Sequence, residues 1–414
     1  MFDYLLTDAQ LALRDEVREF VKSIPRQMIL DMDAEKIHFP VDFLKEAGRR
    51  NLMGCRYPEK WGGRNMDWVT TCMVMEEVGT LGYIFACTFG VGAELVCDAI
   101  VLHGTDEQKA RYVAPLLKGE IFAAECLTEP RGGSDFFGTA TKAEDKGDHF
   151  LLTGQKRFIV GGEAADYFLV YARTDPEAEP HKGISCFIVD RGPGVDSEYL
   201  YGLMGCRGGG ASRVVFRDVR VPKENLLGKL HGGVEVFNTM MIPERLGTAA
   251  MTIGAARPAL EVATGYTSRR KAFGQPVAAF QGVSFQVAEA AMLLDASRSM
   301  IQTTAQAVDH GIDPRRIRRM VSQAKKFVTE SCQKAAHHAM QVMGGIGYTD
   351  IFPVERIVRD LRLASIWTGT NEVMSMIIAN EWYKEYARAK EARRTRDAEM
   401  DAAAADREEE KVYE

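Results

Sequence analysis

An α+β fold, mostly helical, is what this sequence predicts, and three observations predict it. The first 120 residues carry apolar positions at helical spacing. Residues 121–229 change to β-rich runs of strand length, cut by Gly, Pro and Asp clusters. From 230 to 386 the three- and four-residue apolar spacing returns and runs for many turns, as a helical bundle requires. The chain therefore divides into an N-terminal helical domain (1–120), a middle β domain (121–229), a C-terminal helical domain (230–386) and a charged tail (387–414).

The opening stretch MFDYLLTDAQLALRDEVREFV predicts a helix over 8–22, capped by Thr7 or Asp8, and no secretory signal. Its Leu11, Leu13, Val17, Phe20 and Val21 point toward a core. Helices follow at about 41–50, 66–80, 84–103 and 106–117. The run YIFACTFGVGAELVCDAIVLHG (83–104) is long and apolar enough to raise a membrane question. It carries Glu94 and Asp98, and a carboxylate at a bilayer centre costs roughly 2.5–3.5 kcal/mol, so the expectation is a buried helix. HFLLTGQKRFIV, DYFLVYART, GISCFIVDR and SRVVFRDVRV are the strand candidates of the middle block. GCRGGGAS (205–212) lies between such runs and predicts a turn. The stretches 284–311 and 314–342 are bundle helices, and GGIG (344–347) is a C-cap. The tail has almost no apolar stripe, so it is either a solvated helix or disordered.

Bulk properties exclude several classes. With 414 residues and 46% hydrophobic content the chain can bury a large core. A net charge of −6 offers no basic field to nucleic acid or an anionic membrane. None of the eight cysteines sits at metal-ligand spacing, so no metal is expected, and buried free thiols in a reducing cytoplasm are. No G-x-G-x-x-G sits between a strand and a helix, and no phosphate-binding G-x-x-x-x-G-K-[ST] occurs. A large cofactor must then be held between domains by scattered contacts.

Four separated stretches point to one family. HGTDEQKARYVAPLLKGEIFAAECLTEPRGGSD (103–135) contains a T-E-P-x-x-G-S-D-like segment, and GQKRFIVGGEAADYFLVYART (154–174) follows it. RKAFGQPVAAFQ (270–281) fits R-x-x-F-G-x-x-x-x-x-x-Q, and QVMGGIGYTDIFPVERIVRDLRLASIWTGTNE (341–372) fits Q-x-x-G-G-x-G-Y with its R-D ending. In this order and spacing the chain resembles the acyl-CoA dehydrogenases from about residue 5 to 380. The resemblance implies a helical domain, a β-barrel-like middle domain and a C-terminal four-helix bundle. It also implies FAD at their junction, an acyl-CoA substrate, an electron-transferring flavoprotein as acceptor and a homotetramer built as a dimer of dimers.

Site residues follow from the same resemblance. Leu127 and Thr128 would meet the flavin ring, with Gly133 allowing close approach and Ser134 reaching the pyrophosphate or the pantetheine arm. Phe158 and Val160 occupy the flavin-side positions that are usually aromatic and hydroxylic. Arg270 would pair with the pyrophosphate, which suits a guanidinium. Phe273 and Gln281 would reach a neighbouring subunit's FAD, Gln341 and Gly345 the adenosine-diphosphate end, and Thr370 and Glu372 the flavin's other side. Thr368 would offer its backbone N–H to the thioester oxygen, with Gly369 beside it in the substrate site.

The family's base is often the residue that is Thr368 here, and a threonine cannot serve. In a subset resembling isovaleryl- and long-chain acyl-CoA dehydrogenases and crotonobetainyl-CoA reductase, the carboxylate stands on an earlier helix in an E-R-L context. MMIPERLGTAAMTIGAA (240–256) places Glu244 there, with Arg245 on the CoA side, and Pro243 is expected to break or start the helix. Two other acids compete. Glu94 would line the acyl pocket or make a structural contact. Glu125, where relatives carry an aromatic, would pair with Arg131 or act as a ligand. The expected reaction is α,β-dehydrogenation to the trans-2-enoyl-CoA. The alternatives are an enoyl-CoA reductase, an oxidase or a desulfinase on the same fold, or a non-catalytic relative.

Overall fold

The computed structural model describes residues 3–388; the tail assignment from 389 onward lies outside them. The N-terminal unit comprises α1 (Asp8–Ser23), α2 (Arg26–Asp33), α3 (Val41–Arg49), α4 (Trp68–Gly79), α5 (Tyr83–Gly90) and α6 (Cys97–His103). A further run holds α7 (Asp106–Gln108) and α8 (Ala114–Leu117). Thr7 rather than Asp8 caps α1, in a reciprocal box with Gln10. α5 and α6 are joined by a π-helical stretch, Val91–Val96. Of its most apolar window, 89% is buried inside the protein, so this run's hydrophobic surface is taken up by the chain's own core.

Glu94 and Asp98 stay in that core because Arg56 meets both. Its guanidinium bonds Asp98, lies 3.4 Å from Glu94 Oε2, and donates to the Glu94 carbonyl at 3.1 Å. It also sits over the rings of Tyr57 and Trp68, at 4.6 and 4.0 Å.

The middle unit is an eight-stranded sheet of β1 (Ala123–Cys126), β2 (Lys142–Asp145), β3 (His149–Ile159), β4 (Tyr167–Arg173), β5 (Ile184–Asp190), β6 (Val195–Leu200), β7 (Ser212–Pro222) and β8 (Leu226–Leu227). The order is β6-β7-β3-β2-β4-β5-β8, with β1 added parallel to β4. One residue pair, Lys142 with Arg173, joins the two halves. They enclose a common core of Ala124, Phe168, Val170 and Phe187 from one half, and Phe150, Leu152, Val214 and Phe216 from the other. The sheet path is open, and the enclosed core is what makes it barrel-like.

The alternation along β4 decides what faces the site. Phe168, Val170 and Ala172 point into the sheet's own core, whereas Tyr167, Leu169 and Tyr171 join the core shared with the helices. In β1, Ala123 belongs to that shared side, and so does Glu125, paired in register with Leu169.

The C-terminal unit begins with α9 (Gly233–Arg269) and a hairpin of β9 (Lys271–Ala272) and β10 (Gln275–Pro276). It continues with α10 (Gln281–Asp309), α11 (Pro314–Met343), α12 (Val354–Leu363) and α13 (Asn371–Arg388). Pro243 neither breaks nor starts a helix, contrary to the sequence expectation, and lies inside α9. The tertiary packing of α9 against α4 and α11 outweighs the local cost of a missing N–H. Gly79 and Gly254 let the α4 and α9 backbones touch: a Cβ at Gly254 would stand 2.1 Å from the Glu76 carbonyl oxygen. Sequence patterning also missed α2, β1, β2, β6, β8 and the β9–β10 hairpin, all short elements. GCRGGGAS is the expected turn between β6 and β7, and the Cys206 N–H in it donates to Asp360 of α12 at 2.6 Å. Gly344, with φ +67°, ends α11 as expected.

Candidate active site

Glu244 lies on α9 with its Oε2 buried and without a hydrogen-bond partner. Burial raises its pKa to about 7, against the pull of Arg245 and Lys325. Arg245, also buried, donates from Nη1 to Ser322 Oγ at 3.3 Å and is lowered to about 10 by burial. Lys325 on α11 is fully buried. Its ammonium donates to the Gly369 carbonyl at 2.8 Å and to Asn371 Oδ1 at 2.9 Å, and burial lowers it to about 8.

The loop 367–371 is thereby fastened from two sides. Lys325 holds its far end, and Trp367 Nε1 donates to Tyr83 Oη at 2.9 Å at the near end. Between them Thr368 and Gly369 take left-handed backbone, with φ +56° and +79°. A β-branched residue there is strained, and such strain persists only where surroundings enforce it. Thr368 Oγ1 is buried and without a partner. Among the described residues its N–H meets no backbone carbonyl. The position of a Cβ on Gly369 would be 3.8 Å from Arg245 Nη2, so loop and helix meet at Glu244's neighbour.

The flavin-side residues form a second group. Leu127 and Thr128 follow β1. Lys156, fully buried on β3, donates to the Leu127 carbonyl at 3.3 Å, to the Tyr171 carbonyl at 2.8 Å and to Glu129 Oε1 at 2.8 Å. The Arg157 N–H donates to the Thr128 carbonyl at 2.8 Å. These bonds lock the strand end against β3, where Phe158, with φ +59° and 52% exposed, presents its ring beside Tyr201. Val160 is half-buried on the helix-facing core, and Gly133 and Ser134 are exposed in the turn beyond Thr128. Thr370 accepts from the Val373 N–H at 3.3 Å at the start of α13, and Glu372, in the first turn, is exposed.

A third group sits elsewhere. Arg270 ends α9, about 26 residues beyond Glu244, which is about 39 Å of helix. Phe273 is 95% exposed on the hairpin, and Gln281 opens α10. Gln341 and Gly345 come to the same end, since Tyr266 of α9 packs edge-on against Phe352 just beyond them. This group therefore lies far along α9 from the Glu244 group.

Of the two competing acids, Glu94 is taken up by Arg56, not by the neighbours of Glu244. Glu125 does not pair with Arg131, which instead lies 3.6 Å from Asp135. It faces the helices, and Glu244 is near enough for its charge to add to burial in raising Glu125 well above the carboxylate range. Sequence reasoning missed Lys325. Its signal was a lysine in phase with the buried Val321, Ala324, Val328 and Cys332 of α11.

The donor set fits FAD. The locked strand end offers backbone to a ring, Arg270's guanidinium has no partner among the described residues, and a Cβ at Gly344 or Gly345 would meet nothing within 4 Å.

Comparison with known proteins agrees with this architecture. Residues 7–120, 124–219 and 231–382 match the models of the acyl-CoA dehydrogenase N-terminal, middle and C-terminal domains. An acyl-CoA dehydrogenase of Bacillus subtilis (strain 168) is 34% identical over 377 residues, covering 90% of this chain and 98% of its own. The caffeyl-CoA reductase–Etf complex subunit CarC of Acetobacterium woodii is 33% identical, with 90% and 98% covered. The solved butyryl-CoA dehydrogenase of Megasphaera elsdenii superposes with a TM-score of 0.87 at 30% identity, covering 91% of this chain and 99% of that one.

Proposed function

The chain belongs to the acyl-CoA dehydrogenase family and is an FAD-dependent oxidoreductase, and from this premise we propose which residues carry its chemistry. Glu244 is the base that takes the α proton of an acyl-CoA thioester. The observation that carries this is its buried, unpartnered Oε2 beside a loop whose own side chain, Thr368, has no basic group. FAD, when bound, supplies the acceptor for the β hydride. Every other part of the task falls to the protein.

Lys325 fixes the Gly369 carbonyl, in the 369–370 peptide, and Trp367 holds the other end of the loop, leaving the Thr368 N–H to donate to the thioester oxygen as negative charge grows there. Arg245 and Lys325 stabilise the ionised base, while burial keeps it basic enough to work near neutrality. Leu127, Thr128 and Phe158 would hold the flavin of the same chain. Arg270, Phe273, Gln281, Gln341 and Gly345 would hold the cofactor of a second copy, which supports the homotetramer built as a dimer of dimers. An electron-transferring flavoprotein is the proposed acceptor. The eight cysteines are all free and buried, which supports a reducing, cytoplasmic setting.

Two results test this reading. An anaerobic screen of acyl-CoA thioesters against bleaching of the flavin absorbance identifies the substrate class. With the best substrate, the reduction rate should rise with pH and level off above about 7, because the base must be ionised. Groups facing it are Arg245, Lys325 and Glu125. A rate that does not change between about pH 5.5 and 8.5 would remove Glu244 from the role. The same carboxyl could return the proton in enoyl-CoA reduction, the direction of the caffeyl-CoA reductase complex to which the Acetobacterium relative belongs. Reduced enzyme that turns over enoyl-CoA faster than oxidised enzyme turns over acyl-CoA would favour that direction.

The cross-subunit arrangement predicts that Phe273→Ala lowers flavin content and weakens assembly together. Flavin absorbance per chain and light scattering check this; an unchanged pair of values would detach Phe273 from both.

A further inference from the structure

On the helix-facing side of the middle sheet, β1, β4 and β5 present Ala123, Tyr167, Leu169, Tyr171, Ile184, Cys186 and Ile188 to the shared core. Glu125 is the carboxyl group set among them; its Oε1 is buried with no hydrogen-bond partner, and the Tyr171 hydroxyl, also without one, is the polar neighbour it faces. The cations around it are occupied. The three donors of Lys156 go to Glu129, Leu127 and Tyr171, and an ammonium has no fourth. Arg131 lies at Asp135. Arg245 and Lys325 stand with Glu244, the loop and Ser322. A buried acceptor without a donor costs stability, and a ligand that donates to it is one way such a group is offset. Glu125 sits two residues before Leu127 of the flavin group, and Glu244 is its electrostatic neighbour. Its open oxygen therefore belongs to the acyl end of the substrate site.

We propose that Glu125 is a specificity-determining residue that accepts a hydrogen bond from the acyl chain, selecting thioesters with a hydroxyl or protonated amine within the first few carbons. Two alternatives are disfavoured on the same geometry. A purely apolar chain leaves Oε1 unpaired after water is expelled. A chain ending in a carboxylate brings its own charge into a desolvated site where burial already pushes Glu125 and Glu244 toward their neutral forms. The inference rests on the acyl-CoA dehydrogenase reading, but its test is independent of which residue is the base.

The test uses the FAD-loaded enzyme and CoA thioethers, which have no thioester and are not turned over. S-butyl-CoA, S-(4-hydroxybutyl)-CoA, S-(4-aminobutyl)-CoA and S-(3-carboxypropyl)-CoA are titrated by calorimetry. The wild type should bind at least one of the hydroxyl and amine probes about tenfold or more tighter than S-butyl-CoA, the scale of one hydrogen bond to a carboxyl group, and the carboxylate probe most weakly. Glu125→Leu should abolish or reverse that preference. Glu125→Gln, whose amide oxygen still accepts, should keep part of it for the hydroxyl probe and guards against a folding defect in Glu125→Leu. With the matching thioesters, kcat/KM should shift in the same order. Equal binding of the butyl, hydroxyl and amine probes by the wild type would overturn the proposal. So would an equal loss on all probes in both variants, the mark of a structural role. Glu244→Gln in the same panel separates the two readings: it should lose flavin reduction and keep the binding preference.

Discussion

Glu244→Gln should cut reduction of the flavin by acyl-CoA about 10²- to 10⁴-fold, the usual contribution of a general base, while FAD content and acyl-CoA binding stay near wild type. Gln is nearly isosteric, so the packing of α9 is preserved and only the proton acceptor is lost. Glu244→Gly combined with Thr368→Glu should then restore part of the rate. Position 368 lies on the loop that Lys325 and Trp367 fasten beside Arg245, so a carboxylate there can approach the same proton. Replacing Thr at φ +56° also relieves a β-branched residue from left-handed backbone. Recovery should be incomplete, since a misplacement of about 1 Å can cost on the order of 10²-fold. Stopped-flow reduction under anaerobic conditions measures both variants. A near-wild-type rate in Glu244→Gln would take the base role from this residue.

The second large effect is on stability. Arg56→Met fills similar volume but leaves Glu94 and Asp98 buried without their cation. Removing one side of a buried ion pair costs about 3–5 kcal/mol, and here one guanidinium serves two carboxylates. Burial already raises Glu94 to about 7 and raises Asp98, each against the pull of Arg56. A carboxyl whose folded pKa lies above its unfolded value stabilises less as pH rises between the two. Without Arg56 that window widens upward, so the variant's deficit should be larger at pH 8 than at pH 5. Denaturant unfolding at the two pH values reads both effects. A loss below about 1 kcal/mol at pH 8 would show that the two carboxylates find other partners.

Much of the fold was legible because its signals are local. Helical spacing, β-rich runs and turn glycines each act within a few residues, and they gave the helical, β, helical order and most long elements. The short β1, β2 and β6 were not legible, since strands of four to six residues carry little periodicity. Pro243 misled because its penalty is local and the contacts that carry α9 through it are not. Among the proposed site residues, the Glu244 assignment came from a motif and the Thr368 one from its place in another. Lys325 was readable only in principle, as a charge on an apolar helical face.

By itself, the sequence determined the family, the cofactor class and the absence of a carboxylate at 368, because these are written in residue identity and spacing. The tertiary structure alone decided which distant residues meet. It brought Lys325 to Gly369, 44 positions apart, and Arg56 to both Glu94 and Asp98. It left Glu125 on the helix-facing side of β1 near Glu244, and put Arg270 just past the C-terminal end of α9, far from Glu244 in its interior. The reason is physical. A strand's two-residue alternation says that Glu125 and Cys126 face opposite ways, but not which side meets α9. Only the packing of sheet against helices chooses that side, and with it which carboxylate is left open to a ligand.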